Sequence, residues 1–495
     1  MPGSTRFSSV AHFPARSELL ALGLVLALAA ALRLPGLGYG LPFALLNPDE
    51  ESLVPRAWDV VHGGGLDPGW YDYPSLLILL LAPFQLPFDE PSYGAARGVA
   101  AAIGIAGVAA AWWLGRRAYG PLAGVVAGVA TAVATVHVAY SHMAVTDVLL
   151  TTLVTVSLAL LLGGRLEWAG VAAGLAASAK YPGILVAVPI VLVGWGAWRR
   201  LARAAGGAAL AFVLTSPFVV LHAGAAWEDV SRVQRLARAG WLGFEHDPPT
   251  PLAFADRLWD ALGPFLLVAL AGLALALGRL VFQEHKLFSI RATRPFGGRE
   301  RKLVFQEHKV ADLALVSFAL VWFAQLLSID AHFDRYVLPL VPVLGVLAGR
   351  LPRLAPVAAA LLLVPLVWSA SDVRELRRTD TRVVAQAWIV RNVPPKSLVA
   401  VESSTPPLGV RPVIRLALPG PGRRFDPNRD VARLRERGAD YVLVTGAVAD
   451  RVLAAAEEYP REAAFYGALE TGARRVLLVP PGDGLAGPWV ALYRL

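Results

Sequence analysis

Long apolar segments separated by short polar loops run through most of the chain. Between residues 19 and 369 these segments are rich in leucine, valine, alanine and isoleucine, and the charged residues gather near their ends. A helix needs about 20 mostly apolar residues to cross a bilayer, where it satisfies its own backbone hydrogen bonds. The pattern therefore predicts a polytopic α-helical membrane protein.

Short basic clusters give the direction of each crossing, because loops rich in arginine and lysine stay in the cytoplasm. The clusters are Arg116-Arg117, Arg165, Arg199-Arg200 with Arg203, the stretch from Arg279 to Lys309, and Arg350 with Arg353. Placing all of them inside predicts about eleven transmembrane helices. Their predicted ranges are 18–34, 97–114, 121–139, 147–163, 167–179, 182–197, 204–222, 260–279, 311–328, 336–349 and 354–369. This odd number of crossings puts the tail outside the cytoplasm.

The first predicted helix is interpreted as an uncleaved segment and not as a signal peptide. Its apolar run continues through Arg33, which is expected to reach the membrane interface, and no soluble domain follows. A long outer loop, residues 35–96, comes next. Its apolar run 75–88 is short for a crossing and is interrupted by Pro83 and Pro87. We therefore predict an interfacial or half-inserted helix there.

The last part of the chain, residues 371–495, has the alternating pattern of a small soluble α/β domain. Helices are predicted at Thr379 to Asn392, Asp430 to Arg437 and Ala447 to Tyr459, and strands at 397–401, 440–444, 474–479 and 489–495. The sequence thus divides into a transmembrane domain, 1–370, and an extracytoplasmic domain, 371–495. The expected location is the cytoplasmic (inner) membrane, with multiple crossings.

Composition agrees with a membrane protein and narrows the chemistry. The 495 residues are 56% hydrophobic and only 17% charged, whereas soluble domains are usually about 25% charged. The absence of cysteine excludes disulfides and thiolate chemistry. Much of the net charge of +9 lies in short loops, so membrane orientation explains it without nucleic acid. The heptapeptide at 280–286 recurs at 303–309, which we interpret as a local duplication without catalytic meaning.

The most distinctive polar segment is the acidic run Asn47-Pro48-Asp49-Glu50-Glu51 in the first outer loop. Carboxylates at such a place can act as a general base or hold a divalent cation. A second candidate, Asp147, follows the outer turn that starts at Tyr140. Asp147 also stands at the start of a predicted helix, where an aspartate is common as an N-cap. Asp49 and Asp147 are the candidate metal ligands.

Two cations at helix ends on the outer side form the second group of candidates, Lys180 and Arg335. One interpretation is contact with lipid headgroups, and the other is a clamp on a phosphate. The histidines at 137, 142, 246 and 332 lack metal-ligand spacing, so hydrogen-bonding or interfacial roles are expected for them.

Taken in order, these segments resemble the GT-C superfamily of membrane glycosyltransferases. The nearest branch is similar to protein O-mannosyltransferases and to the aminoarabinose transferases that modify lipid A. The matching segments are Asn47-Pro48-Asp49-Glu50, Tyr71-Asp72-Tyr73-Pro74, Tyr140 through Asp147, Ala179-Lys180-Tyr181-Pro182-Gly183, Arg335-Tyr336-Val337-Leu338-Pro339, and in the tail Trp388 to Pro395 and Gly487 to Tyr493. Tyr73 stands where the lipid A branch commonly has lysine, so lipid A is not carried over as the acceptor.

The resemblance implies inverting transfer of a sugar from a polyprenyl-phosphate donor to a lipid, glycan or protein acceptor among the membrane lipids. Asp49 would be the base, or would orient the acceptor. The other implied roles are support of Asp49 or of a divalent metal ion by Glu50 and Asp147, donor-phosphate binding by Lys180 and Arg335, and substrate contacts by Tyr73, His142 and Tyr336. A transporter or flippase of lipid-linked sugars and a polysaccharide polymerase or ligase remain the alternative functions.

Overall fold

The computed structural model describes residues 15–282 and 299–495, so residues 283–286 of the first copy of the repeated heptapeptide lie outside the described residues. The described chain is a helical body followed by a small mixed α/β tail. Its helices are α1 (Arg16–Arg33), α2 (Pro48–Val61), α3 (Leu76–Leu81), α4 (Tyr93–Tyr119), α5 (Pro121–Val133), α6 (Thr135–Ser141), α7 (Thr146–Leu162), α8 (Leu166–Ala179), α9 (Ala187–Val193), α10 (Trp198–Thr215), α11 (Pro217–Leu221), α12 (Ala223–Ala239), α13 (Thr250–Leu262), α14 (Phe265–Phe282), α15 (Arg299–Leu326), α16 (Leu340–Gly349), α17 (Ala355–Leu361), α18 (Leu363–Glu375), α19 (Thr381–Asn392), α20 (Val431–Glu436), α21 (Gly446–Ala454) and α22 (Pro460–Gly472).

Only some of these helices are long and apolar enough to cross a bilayer alone. Within 15–282 and 299–495 there are four such segments, Tyr93–Tyr119, Phe265–Phe282, His308–Leu326 and Pro352–Glu375, and the bent pair α5 with α6 makes up to five. Other apolar helices, such as α7 and α16, are shorter. The predicted number of about eleven crossings therefore stays a prediction, although most predicted segments coincide with helices.

Close contacts through glycine hold the helical body together. A side-chain carbon added to Gly174 of α8 would lie 2.1 Å from the carbonyl oxygen of Ala208 in α10. One added to Gly272 of α14 would lie 2.0 Å from the carbonyl oxygen of Leu347 in α16. Small residues let helix backbones approach this closely, which is how membrane helices gain packing energy where the lipid itself is apolar.

Two expectations about the first helices are wrong. The predicted continuous helix 121–139 is two helices, α5 and α6, which meet at Ala134 with a bend of 61°. The Arg33 side chain does not extend to the lipid headgroups or to solvent, because it is fully buried against α5 and α6. The pattern of apolar residues does not reveal the bend between α5 and α6, because Arg33, which contacts both helices there, is about 100 positions away in the sequence.

The first outer loop contains more helix than predicted. Within the expected interfacial segment, α3 is followed by a short 3₁₀ turn, Ala82–Gln85. The acidic run begins α2, a helix that the sequence analysis did not predict. Farther along, much of the segment between the predicted crossings 204–222 and 260–279 is helical, with α12 and α13 on either side of a turn.

The tail is built on a five-stranded sheet. The strands are β1 (Thr379–Asp380), β2 (Val399–Val401), β3 (Val413–Arg415), β4 (Tyr441–Thr445), β5 (Arg474–Val479), β6 (Leu485–Ala486) and β7 (Val490–Arg494). The sheet order is β3-β2-β4-β7-β5, with β2 parallel to β3 and β4, and β7 antiparallel to β4 and β5. Strand β3 and helix α22 were not predicted, and β1 pairs only with β6.

The loop after α12 of the helical body completes the core of the tail. Leu242, which follows α12, is buried in the same apolar cluster as Val442 and Tyr493. Next to it, the Tyr459 hydroxyl donates to Glu245 at 2.7 Å, and the Arg423 guanidinium lies 4.4 Å from the Trp241 ring. The tail therefore packs against residues 241–245 of the helical body and is not joined to it by a flexible linker alone.

Candidate active site

Asp49 is held at the start of α2 by a well-formed helix N-terminus. The side chain of Asn47 is the N-cap and accepts a hydrogen bond from the Asp49 amide at 2.9 Å, and Pro48 occupies the first helical position. Asparagine caps, an early proline and acidic residues in the first turn all favour a helix start. The acidic run 47–51, which was singled out for its possible catalytic role, therefore also contains the signals that start helix α2 and fix the position of Asp49.

The Asp49 carboxylate contacts two groups from distant parts of the chain. Its Oδ2 accepts a hydrogen bond from the Tyr73 hydroxyl at 3.0 Å and lies 3.3 Å from Nη1 of Arg335. Burial, and next the Asp49 charge, raise the pKa of the Tyr73 phenol well above its usual value. Tyr73 therefore stays protonated and acts as a donor to the carboxylate.

A second ion pair joins Asp147 and Lys180. Lys180 Nζ lies 2.6 Å from Oδ1 of Asp147, and the two side chains are 11% and 2% exposed. The N-cap of α7 is Val145, without a side-chain cap, so the carboxylate of Asp147 does not serve as the helix cap. Its Oδ2 is buried and finds no hydrogen-bond partner among the described residues.

Two tyrosine rings connect the ion pairs into one cluster. Lys180 Nζ lies 5.3 Å from the centre of the Tyr73 ring and 5.2 Å from that of Tyr336. The Arg335 guanidinium lies 5.7 Å from the same Tyr336 ring. These distances are within the range of cation–π attraction. Five loops and helix ends, far apart in the chain, thus bring Asp49, Tyr73, Asp147, Lys180, Arg335 and Tyr336 together.

Glu50 lies outside this cluster and is fully buried in an ion pair with Arg97 of α4. Both carboxylate oxygens of Glu50 accept from Arg97 at 2.8 Å, and Oε1 also accepts from the Ala144 amide at 3.0 Å. With both its oxygens engaged, Glu50 ties α2 to α4 and to the turn before Asp147. Its position supports Asp49 through the backbone and leaves no free oxygen for a substrate.

His142 is likewise placed away from the cluster. It is buried, and its two ring nitrogens each lie 2.9 Å from a backbone carbonyl oxygen, those of Val138 and Pro35. These contacts join the end of α6 to the segment after α1. The ring offers no free nitrogen to a substrate in this arrangement, in contrast to the substrate role that the sequence predicted.

The sequence analysis missed a pair that orients Arg335. The Tyr140 hydroxyl donates to Oδ1 of Asp334 at 2.7 Å, and the same oxygen accepts the backbone amide of Arg335 at 2.8 Å. Tyr140 belongs to a segment that was singled out and Asp334 directly precedes another, but nothing in their spacing indicates that they meet. The Nε atom of Arg335 is buried without a partner in the described part of the chain. Together with Asp147 Oδ2, it is a polar atom that an incoming ligand could engage.

The residues do not fit a resident divalent metal ion. Within residues 15–282 and 299–495 no three acidic or histidine side chains are grouped as a ligand set. Asp49 and Asp147 are each paired with a cationic side chain, which opposes the charge of a metal ion. We therefore derive no catalytic step through a metal.

Comparisons with known proteins agree with a membrane glycosyltransferase architecture. The model of Glycosyltransferase family 87 matches residues 70–294, which include Tyr73, Asp147 and Lys180. A search of curated proteins finds no match. The resemblance to the GT-C superfamily inferred from the sequence motifs is confirmed.

Solved structures show the same fold. The crystal structure of the Archaeoglobus fulgidus oligosaccharyltransferase tethered to an acceptor peptide superposes with a TM-score of 0.60 at 13% identity, over 94% of this chain and 73% of that one. ArnT from Cupriavidus metallidurans in the apo state gives 0.54 at 15% identity, over 96% and 97%. ArnT bound to undecaprenyl phosphate also gives 0.54, at 14% identity over 96% and 97%. The chain therefore shares the fold of these proteins.

Proposed function

We propose that this protein transfers a sugar from a polyprenyl-phosphate donor to an acceptor at the outer face of the cytoplasmic membrane, with inversion at the sugar carbon. The observation that carries the proposal is the cluster in which Asp49 and Asp147 meet Lys180 and Arg335 around two tyrosine rings. Matched opposite charges around aromatic walls suit a ligand that combines a phosphate with a sugar.

The two cations provide the phosphate site. Lys180 offers the compact charge of an ammonium group. Arg335 offers a planar guanidinium, and its Nε atom has no hydrogen-bond partner among the described residues. Structures of the same fold are described as bound to undecaprenyl phosphate and to dolichol phosphate. We therefore assign the phosphate of a polyprenyl carrier to Lys180 and Arg335.

Asp49 is the better placed of the two carboxylates to serve as the base. Its side chain is 23% exposed, whereas that of Asp147 is 2% exposed, so an acceptor hydroxyl or amine reaches Asp49 more readily. Asp49 takes the acceptor proton as the acceptor atom bonds to the sugar carbon. The bond from that carbon to the phosphate oxygen breaks, and its electron pair leaves on the phosphate. Lys180 and Arg335 stabilise the negative charge that develops there.

The membrane orientation follows from the ends of α4. Arg97, which binds Glu50 beside the candidate site, and the pair Arg116-Arg117 stand near opposite ends of this helix, separated by about 30 Å at 1.5 Å per residue. Arginine-rich loops stay inside, so the candidate site faces outside.

We expect a reporter fused after Leu495 to be extracytoplasmic. A matched reporter inserted at Gly164, between α7 and α8, should be cytoplasmic because Arg165 follows it. Protease accessibility in intact cells and in opened cells measures both positions. A cytoplasmic signal from the fusion after Leu495 would contradict the proposed face of the site.

Donor consumption tests the proposed reaction for acceptors of any class. Purified protein is reconstituted into liposomes together with lipid, glycan and peptide acceptors. Polyprenyl-phosphate hexoses and pentoses are then added as donor substrates. We expect one donor class to yield free polyprenyl phosphate together with a glycosylated product of inverted anomeric configuration, read by mass spectrometry and NMR. Movement of the donor across the bilayer without its consumption would instead indicate a transporter.

A further inference from the structure

Arg33 is a fully buried arginine that has no carboxylate within ion-pair distance in the described part of the chain. Its guanidinium instead contacts three helices. Nη1 donates to the carbonyl of Ala29 at 3.2 Å and of Ala132 at 2.9 Å, and Nη2 to that of Thr131 at 3.1 Å. In α6, Nε donates to Ser141 Oγ at 3.2 Å, and Nη2 lies 2.9 Å from His137 Nδ1.

The contacts are concentrated where the α5–α6 segment bends by 61°. The last carbonyl groups of a helix lack backbone donors and carry its negative dipole end. Here Arg33 binds the carbonyls of Thr131 and Ala132, and Ser369 Oγ donates to that of Val133 at 2.9 Å. A buried charged side chain is costly unless its hydrogen-bonding groups find partners. Arg33 offsets that cost by supplying donors to the broken helix while fixing the direction of α6.

The direction of α6 matters because α6 carries Tyr140. The Tyr140 hydroxyl holds Asp334, Asp334 holds the backbone amide of Arg335, and Arg335 contacts Asp49. We propose that Arg33 is a positioning residue: through α6 and Tyr140 it sets where the phosphate-binding Arg335 lies. This inference rests on the proposed function, since it assigns Arg33 to the preparation of that same phosphate site.

Gly104 of α4 allows Arg33 and Ser141 to meet. A side-chain carbon at this position would lie 2.2 Å from Ser141 Oγ, 2.9 Å from Ser141 Cβ and 3.3 Å from Arg33 Nε. A larger residue here therefore requires a shift at the contact between α4 and Ser141 of α6, beside Arg33. Gly98, nearly two turns earlier in the same helix, would place its added carbon at more than 4 Å from other groups. The chain therefore offers a matched pair of substitutions that leaves every charged residue in place.

The test compares Gly104→Ala with Gly98→Ala in purified full-length protein. We expect Gly104→Ala to bind undecaprenyl phosphate more weakly and to transfer sugar about 100-fold more slowly, as misplacing a binding group by an ångström typically does. Gly98→Ala should match the parent in both measurements. Equal binding and transfer by the two variants would overturn the inference. A parent that neither binds the carrier nor transfers sugar would instead overturn the proposed function, and this inference with it.

A kinetic double-mutant cycle separates positioning from a general loss of stability. If Arg33 acts through Tyr140, then Arg33→Met combined with Tyr140→Phe should reduce transfer much less than the product of the two single effects. The transfer rate of each variant is divided by the fraction of that variant that is folded at the assay temperature. If the double variant instead lost transfer by the full product of the two single effects, Arg33 would not act through Tyr140. If Arg33→Met does not fold, Gly104→Ala takes its place in the cycle.

Discussion

Replacing Asp49 by asparagine should abolish most sugar transfer without weakening carrier binding. Asparagine keeps the size of the side chain and still accepts the Tyr73 hydrogen bond of 3.0 Å, but it cannot take a proton. Removing a general base typically costs between about 100-fold and 10,000-fold in rate. We expect a fall of about 1,000-fold, which corresponds to about 4 kcal/mol in the activation barrier. Donor turnover and undecaprenyl phosphate affinity, measured separately, check both parts.

Asp59→Asn is the matched control, because Asp59 is an exposed aspartate near the other end of the same helix, α2. It should transfer sugar at the parent rate, which would show that the effect of Asp49→Asn does not come from a charge change on α2. If Asp49→Asn kept a rate within about threefold of the parent, Asp49 could not be the base, since a base contributes far more than that. A loss confined to carrier binding would assign Asp49 to the donor site instead.

The order of the motifs in the sequence predicted much of the cluster. The acidic start of the first outer loop, the aspartate after the Tyr140 turn, and the two cations at helix ends are all short-range features with a chemical meaning. The structure brings these candidates, Asp49, Asp147, Lys180 and Arg335, together. Positive charge at positions predicted to lie on the outer side was informative, because loops on that side normally lack it.

What could not be predicted depends on pairing between distant residues. Glu50 stands next to Asp49 in sequence, yet the helical turn of α2 points it toward Arg97, where it serves as a buried tie. Arg33 follows an apolar run and looks like an interfacial anchor, but the bend of α5–α6 makes a polar site for it inside the protein. Local spacing does not indicate these partners. Glu50 and Arg97 are separated by 47 positions in the sequence, and Arg33 and Ser141 by 108, so each pair meets only in the folded chain.

In the described structure, the cations assigned to the phosphate are already neutralised by carboxylates. Lys180 lies 2.6 Å from Asp147, and Arg335 lies 3.3 Å from Asp49. A carrier phosphate must therefore compete with these carboxylates for the same cations. If Arg335 moves toward the phosphate, Asp49 loses this cationic partner and its carboxylate is free to receive the acceptor proton. Donor binding and activation of the base are coupled in this way by one exchange of charge partners.

This competition predicts opposite effects for the two members of the Asp147–Lys180 pair. Asp147→Asn should bind undecaprenyl phosphate about 10-fold more tightly, because it removes the competing negative charge; that factor corresponds to about 1.4 kcal/mol. Lys180→Met should bind it about 30-fold more weakly, since a hydrogen bond to a charged group contributes about 1.5–3 kcal/mol. Transfer by Lys180→Met should fall further, because Lys180 also stabilises the leaving phosphate. Equilibrium binding and donor turnover measure the two effects.

The matched control is Asp312→Asn, which removes an equally buried aspartate from its ion pair with Arg350, also at 2.6 Å. If Asp147 and Lys180 formed only a structural ion pair, removing either member would lower stability without improving carrier affinity, as Asp312→Asn should do. The double variant Asp147→Asn with Lys180→Met avoids an unpaired buried carboxylate, so a loss of binding in that variant reports on Lys180 and not on unfolding. Tighter carrier binding by Asp147→Asn but not by Asp312→Asn is the result that the charge exchange requires, and equal or weaker binding by Asp147→Asn would exclude it.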